Sequence, residues 1–267
     1  MKHIITLLAF SVFFGTSYAQ APKAQLFASY QYYHQFDATE APQLDSVTLH
    51  INLDQQVSLY NNISYERRTS GDAQIEDDDY GIVVTKEISF SDGQGYPIYT
   101  NHKQQLIYER RIALDEGKKK PFIVVDSDAK IQWVLKEEFR SIGRFNCQKA
   151  ESTFRGRTYI AWFDRSIPSS IGPWKLHGLP GLIIEVSDES NQVAFAISSL
   201  AYPTPHEHVL SKPSSGEEIS LQTYLAIEDR TAENYVAYLK SRLPRGSNVK
   251  VTSITKTSGL EIDYGFD

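Results

Sequence analysis

The 267-residue chain has one cysteine, Cys147. A lone cysteine rules out an intramolecular disulfide and any multi-cysteine metal site. Cys147 is expected to be a small buried hydrophobe: Lys149 lies near it in sequence, but no local His signature marks a reactive thiolate. Also missing are a GxSxG elbow, a P-loop, a dinucleotide fingerprint and an HExxH helix motif. Their absence lowers the odds of catalysis without excluding it, because many sites are assembled from distant residues. An excess of basic charge is lacking too. Lys and Arg number 27 against 33 Asp and Glu, a net charge of −6, which disfavours nucleic acid as a partner. Long apolar runs are scarce. The clearest, Ile4 to Phe14, is too short to span a bilayer.

That run has a context. Lys2 and His3 precede it, and Ser17, Tyr18 and Ala19 follow as a small-x-small site. This is the pattern of a secretory signal peptide over residues 1–19, with cleavage expected after Ala19. No cysteine lies at the cleavage site to carry a lipid anchor. Residues 20–267 are then expected to form a single β-rich domain of net charge −7, because Lys2 is lost with the signal.

What is plentiful is aromatic and β-branched. Tyr occurs 16 times and Phe 13 times, a mix that suits strands. Val47, Leu49, Ile51 and Leu53 alternate with Thr48, His50 and Asn52, the period of a half-buried strand. Further strands are expected over 24–36, 57–65, 82–90, 96–100, 103–114, 122–126, 131–135, 141–145, 154–163, 182–187, 193–200 and 250–264. Such short strands, with turns about every ten residues, argue an antiparallel meander. The acidic run Glu76 to Asp79 lacks the glycine and ligand spacing of an EF-hand and reads as a solvated loop. Segment 117–121 reads as a basic hairpin tip, and 201–219, with three prolines, as a loop. His206 and His208 stand two apart in that loop with no third ligand in view, so no metal site and no cofactor are expected. A weak helix is expected over 221–228. A stronger one spans 231–243, with Thr231 at its N-cap and Pro244 beyond its end. The fold class is therefore mainly β with minor α: a curved antiparallel sheet or half-barrel with a C-terminal helix.

The densest turn chemistry is Gly178, Leu179, Pro180, Gly181, Leu182 and Ile183. Pro180 fixes its own φ and pushes Leu179 into extended geometry. Gly181 is expected to supply the positive φ of a type II turn. Gly178 is expected at a close backbone approach or at a second unusual angle. These residues are structural by chemistry, since their side chains transfer no proton. Upstream stand Ile142-Gly143, Cys147-Gln148-Lys149-Ala150, Phe154-Arg155-Gly156-Arg157, Ala161-Trp162, Ile167-Pro168 and Gly172-Pro173-Trp174-Lys175, with Phe195 and Ile197 downstream. In this order the motifs resemble the GLPGLI family of Bacteroidota envelope proteins, most strongly over 131–197. The resemblance implies a secreted, β-rich envelope protein. It carries no established activity.

Strand alternation over 154–163 would put Arg155, Arg157 and Tyr159 on one face. Two such arginines either clamp an anion or pair with carboxylates such as Glu185 or Glu151. With Trp174 and His177 they make up the candidate ligand-binding set. The first functional reading is a non-catalytic binding or accessory protein of the periplasm or outer membrane, peripheral to the membrane at most. Its partner would be an envelope protein or an apolar or peptide-like ligand. A second reading is a hydrolase or peptidase-related enzyme around His177, Arg155, Arg157 and Glu185. A third is a structural assembly protein that adds strands at an exposed sheet edge.

Overall fold

The computed structural model describes residues 25–36, 38, 41–62, 75–78, 81–84, 92–116, 118–204, 208–242 and 259–264. The expected signal segment, His206 and the first part of the expected final strand region lie outside these residues. Fourteen strands run in chain order: β1 (Gln25–His34), β2 (Gln43–Asn52), β3 (Val57–Asn62), β4 (Ile75–Asp78), β5 (Gly81–Val84), β6 (Ile98–Asn101), β7 (Leu106–Asp115), β8 (Lys118–Asp126), β9 (Val134–Ile142), β10 (Phe145–Phe154), β11 (Arg157–Asp164), β12 (Leu182–Asp188), β13 (Val193–Ala201) and β14 (Glu217–Ser220). Two helices follow, α1 (Leu221–Asp229) and α2 (Thr231–Arg242).

Twelve strands form one sheet, in the order β14-β8-β7-β6-β3-β2-β1-β13-β12-β11-β10-β9, while β4 and β5 make a separate ribbon. The sheet is antiparallel except where β14 lies parallel to β8. It is not closed into a barrel. It is strongly wrapped, as one contact demonstrates. β8 and β11 are eight steps apart, about 38 Å if the sheet were flat at ~4.8 Å per step. Yet Arg155, two residues before β11 begins, bonds Asp126 at the end of β8 at 2.7 Å.

Alternation explains the hollow inside. Leu26, Ala28, Tyr30 and Tyr32 of β1, Val47, Leu49 and Ile51 of β2, and Tyr159, Ala161 and Phe163 of β11 turn inward and are almost fully buried. The β11–β12 connection, 165–181, completes this core with Ile167, Ile171, Trp174, Leu176 and Leu179. It folds on itself: Gly178 N–H donates to Ser170 O at 2.7 Å and Gly172 N–H to Leu176 O at 2.8 Å. A smaller core joins Ala113, Phe122 and Val124 to Leu221, Tyr224 and Ile227 of α1. Ser220 caps α1, its side chain accepting from Thr223 N–H.

Several expectations need correction. Gly181 does not have a positive φ; Gly178 does, at +98°. Gly181 is demanded by space instead, since a Cβ there would stand 2.3 Å from Asp164 O. Arg155 is not on a strand with Arg157. With φ of +50° and +77°, Arg155 and Gly156 form the two-residue tip of the β10–β11 hairpin, the geometry of a type I′ turn. Segments 131–135 and 141–145 are not two strands. The first is mostly coil, and β9 runs unbroken from Val134 to Ile142 before turning into β10. Segment 118–120 belongs to β8 rather than to a hairpin tip, 75–78 is strand rather than loop, and 217–220 adds β14 inside the expected 201–219 loop.

Candidate functional site

Two constellations stand out. The first is a buried charge cluster built where the wrapped sheet meets itself. Lys175 Nζ donates to Glu261 Oε1 and lies 2.8 Å from both Glu261 and Glu109. Arg111 Nη2 bonds Glu109 at 2.8 Å and Glu261 at 2.6 Å. Arg155 bonds Asp126, and its Nε faces Glu261 at 3.5 Å. Three cations thus meet three carboxylates. Burial alone would push the Glu109 and Glu261 carboxyls up. For Glu109, the charges of Arg111 and Lys175 outweigh burial and hold it well below the usual carboxylate range. For Glu261, Lys175 and Arg111 do the same. Burial would likewise lower the Lys175 ammonium, but Glu109 and Glu261 raise it. A cluster paired in this way fixes geometry, with the buried Arg155 Nε left without a hydrogen-bond partner.

Segment 259–264 is strapped across this cluster. Ile262 N–H donates to Arg155 O at 2.9 Å. Arg157 donates through Nε and Nη2 to Gly259 O, and through Nη1 to Asp188 and Gln192. Tyr159 is fully buried, with its hydroxyl 3.5 Å from Leu260 O. Trp174, at a φ of +56°, packs its ring against Phe154 and Tyr159. The structure therefore gathers Arg155, Arg157, Tyr159 and Trp174 around the strap. Glu185 is elsewhere, paired with Arg140, and Glu151 pairs with Lys136 and Lys149. Cys147 is buried opposite Asp164. Burial, then Asp164, pushes its thiol up to about 11, so it stays protonated.

His177 belongs to the second constellation, a cleft of about 320 Å³ at the end of the sheet where the β2–β3 and β6–β7 turns meet segments 127–130 and 168–178. Leu53, Ile107, Ala129 and Ile171 supply apolar wall; Gln56, Gln105, Ser127 and Lys130 supply polar groups. His102 and His177 face each other with ring centres 5.7 Å apart. His177 is held at its ring and at its backbone. Its Nδ1 donates to Lys175 O at 2.8 Å, and its own carbonyl accepts from Trp133 Nε1 at 2.8 Å. His102 Nε2 contacts Ser58 Oγ at 3.0 Å. Burial, then His177, lowers the His102 pKa to about 3, so its imidazole is neutral. The sequence reading missed His102, which lies 75 positions from His177 and shares no motif with it. Also missed was Arg110, buried against Asp92, Gly95 O and Ser215 O. Among the described residues no group of three His, Cys, Asp or Glu is placed to hold a metal, and no helix is long and apolar enough to cross a membrane.

Residues 151–185 match the model of a family described as "Protein of unknown function (Porph_ging)". The match runs from β10 through β11 and the 165–181 connection into β12. It fits a Bacteroidota family and falls inside the stretch that carries the GLPGLI resemblance; the GLPGLI name itself stays a resemblance. No curated protein matches the chain. Among solved structures, PNGF-II is similar with a TM-score of 0.49 and 13% identity, over 79% of this chain and 34% of that one. This chain thus spans about a third of PNGF-II. A LolA superfamily protein from Nitrosomonas europaea is similar with a TM-score of 0.29 and 8% identity, over 72% of this chain and 91% of that one. Both likenesses fall short of a shared fold.

Proposed function

We propose that the protein is an exported, non-catalytic binding or accessory protein of the cell envelope that takes a small peptide-like ligand into the cleft beside His102 and His177. The observation that carries this reading is the lining of the cleft. Apolar side chains alternate with amide, hydroxyl and imidazole groups, as a ligand with both side chains and peptide groups requires, and no carboxylate is among the lining residues. Of the groups on which a hydrolase reading depended, His177 alone lines the cleft, and the other three are engaged elsewhere. Arg155 and Arg157 hold Asp126 and Asp188, and Glu185 holds Arg140. No cofactor enters this reading. Export rests on the n-h-c pattern of residues 1–19.

The test has two arms. Mass spectrometry of protein recovered from the envelope should give a chain beginning at Gln20; an intact Met1 would overturn export. Native mass spectrometry of the same protein should reveal a bound small molecule, which Ser170→Trp removes by filling the cleft from an exposed position. A mature protein that carries no such molecule, and takes up none from envelope extract, would overturn the binding reading.

A further inference from the structure

We propose that His102 and His177 form a two-imidazole site for a divalent late first-row metal ion, Zn²⁺, Ni²⁺ or Cu²⁺, whose other coordination positions open into the cleft. The inference concerns the same cleft but does not require an organic ligand to occupy it.

The spacing fits. An ion ~2.0 Å from an imidazole nitrogen lies ~3.2 Å from the ring centre, so two rings sharing it at a tetrahedral or wider angle stand about 5–6 Å apart. The observed 5.7 Å falls in that range. The hydrogen-bond partners fit as well, since metal binding needs a lone pair on each ring. The carbonyl of Lys175 can only accept, so the neutral His177 ring carries its proton on Nδ1 and its lone pair on Nε2. A ligating histidine whose other nitrogen donates to a backbone carbonyl is the arrangement that fixes the tautomer and raises ligand basicity. On His102 the Ser58 hydroxyl lies 3.0 Å from Nε2, and where that hydroxyl accepts, Nδ1 carries the free lone pair. Imidazole donors select late transition ions over Ca²⁺ and Mg²⁺, which take oxygen. With two protein ligands the ion keeps open positions, and the Gln56, Gln105 and Ser127 side chains line the space where water or a ligand group would complete them.

The signature turn supplies the positioning. Gly178, at φ +98°, follows His177 directly and bonds Ser170 O, while the Trp133 indole grips the His177 carbonyl. A second His pair exists in His50 and His208, with ring centres 4.5 Å apart. Those rings pack against each other and against Phe27, and they lie away from the cleft. They provide the internal control.

The experiment uses the mature protein, stripped with chelator and free of added ligand. Zn²⁺ is titrated calorimetrically, and Cu²⁺ is followed by electron paramagnetic resonance. The expected result is one saturable ion per chain and two nitrogen donors on Cu²⁺. His102→Gln and His177→Gln should each weaken binding more than ~10-fold and leave one nitrogen donor, with thermal melts showing both variants folded. Should either fail to fold, Ser58→Ala, which releases only the orientation of His102, should still weaken binding. Absence of saturable binding would overturn the proposal. So would binding unchanged in both cleft variants, or lost in His50→Gln instead.

Discussion

The guanidinium of Arg155 donates to the Asp126 carboxylate at 2.7 Å with both side chains buried. One residue tips the β10–β11 hairpin and the other ends β8, so this bond joins parts of the sheet that strand order places far apart. The pair works as a clasp on the wrapped sheet. Arg157 and Asp188 form a second buried pair, between the neighbouring strands β11 and β12.

Arg157→Ala should therefore act on stability. It leaves Asp188 buried without its cation and removes two bonds to Gly259 O. A loss of about 3–5 kcal/mol is expected from urea unfolding. Arg157→Lys should fall between wild type and Ala, because lysine keeps the charge but cannot reach Asp188, Gln192 and Gly259 together. An Arg157→Ala protein with a wild-type urea midpoint that no longer captures its native ligand would instead make this region the binding site.

The two glycines of the signature turn should respond differently to alanine. At Gly181 the new Cβ meets backbone, Asp164 O at 2.3 Å, and backbone cannot step aside. At Gly178 the nearest atom is 3.7 Å away, so the cost is conformational strain alone. Gly181→Ala should cost at least ~2 kcal/mol by overpacking, and Gly178→Ala about 1 kcal/mol. Equal urea midpoints for the two variants would contradict this ordering.

Acid should loosen the sheet through Glu109 and Glu261. Both carboxyls titrate lower in the folded protein than in the unfolded chain, so their contribution is fully present above the unfolded value near ~4.3 and is lost as pH falls through the folded one. Urea midpoints should hold steady from pH 7 to about 5, then drop towards the folded Glu109 value of about 2. Glu109→Gln should start lower at pH 7 and show a shallower decline. A midpoint insensitive to pH between 5 and 2.5 would contradict the cluster's role.

Local pattern carried much of this architecture. The alternation of Val47, Leu49 and Ile51 shows in their inward burial, and a helix at Thr231–Arg242 stands where one was expected over 231–243. Tertiary decisions were not legible. Phe154 to Phe163 reads as one alternating run because Arg155 and Gly156 interrupt it without changing its period; only their positive φ values reveal the turn. Similarly, proline before Gly181 suggests a positive φ, whereas the real constraint is Asp164 O on a neighbouring strand, which no local rule anticipates. The cleft was half legible: His177 drew notice beside its turn, but its facing partner His102 arrives through the β6–β7 turn.

β9 is an edge strand, bonded to β10 alone in the sheet, and it exposes Val134, Leu135 and Phe139. Such edges template association, and charged residues such as Lys136, Glu137, Glu138 and Arg140 restrain it. Phe139→Lys should change stability by less than ~0.5 kcal/mol while reducing concentration-dependent association in sedimentation velocity. Unchanged association would show that the edge is already fully guarded.

The strap at 259–264 also sets a schedule. Glu261 lies 150 residues after Arg111 and 86 after Lys175. A chain is synthesised from its N-terminus, so Arg111, Lys175 and Arg155 are all present while Glu109 and Asp126 are their only cluster carboxylates. Until Glu261 arrives, the clasped state would bury one unmatched positive charge, which is costly enough to keep the sheet open. Closure thus waits for Glu261. A chain cut before residue 259 is expected to lose the clasped state, which limited proteolysis beside the longer chain would read as faster cleavage.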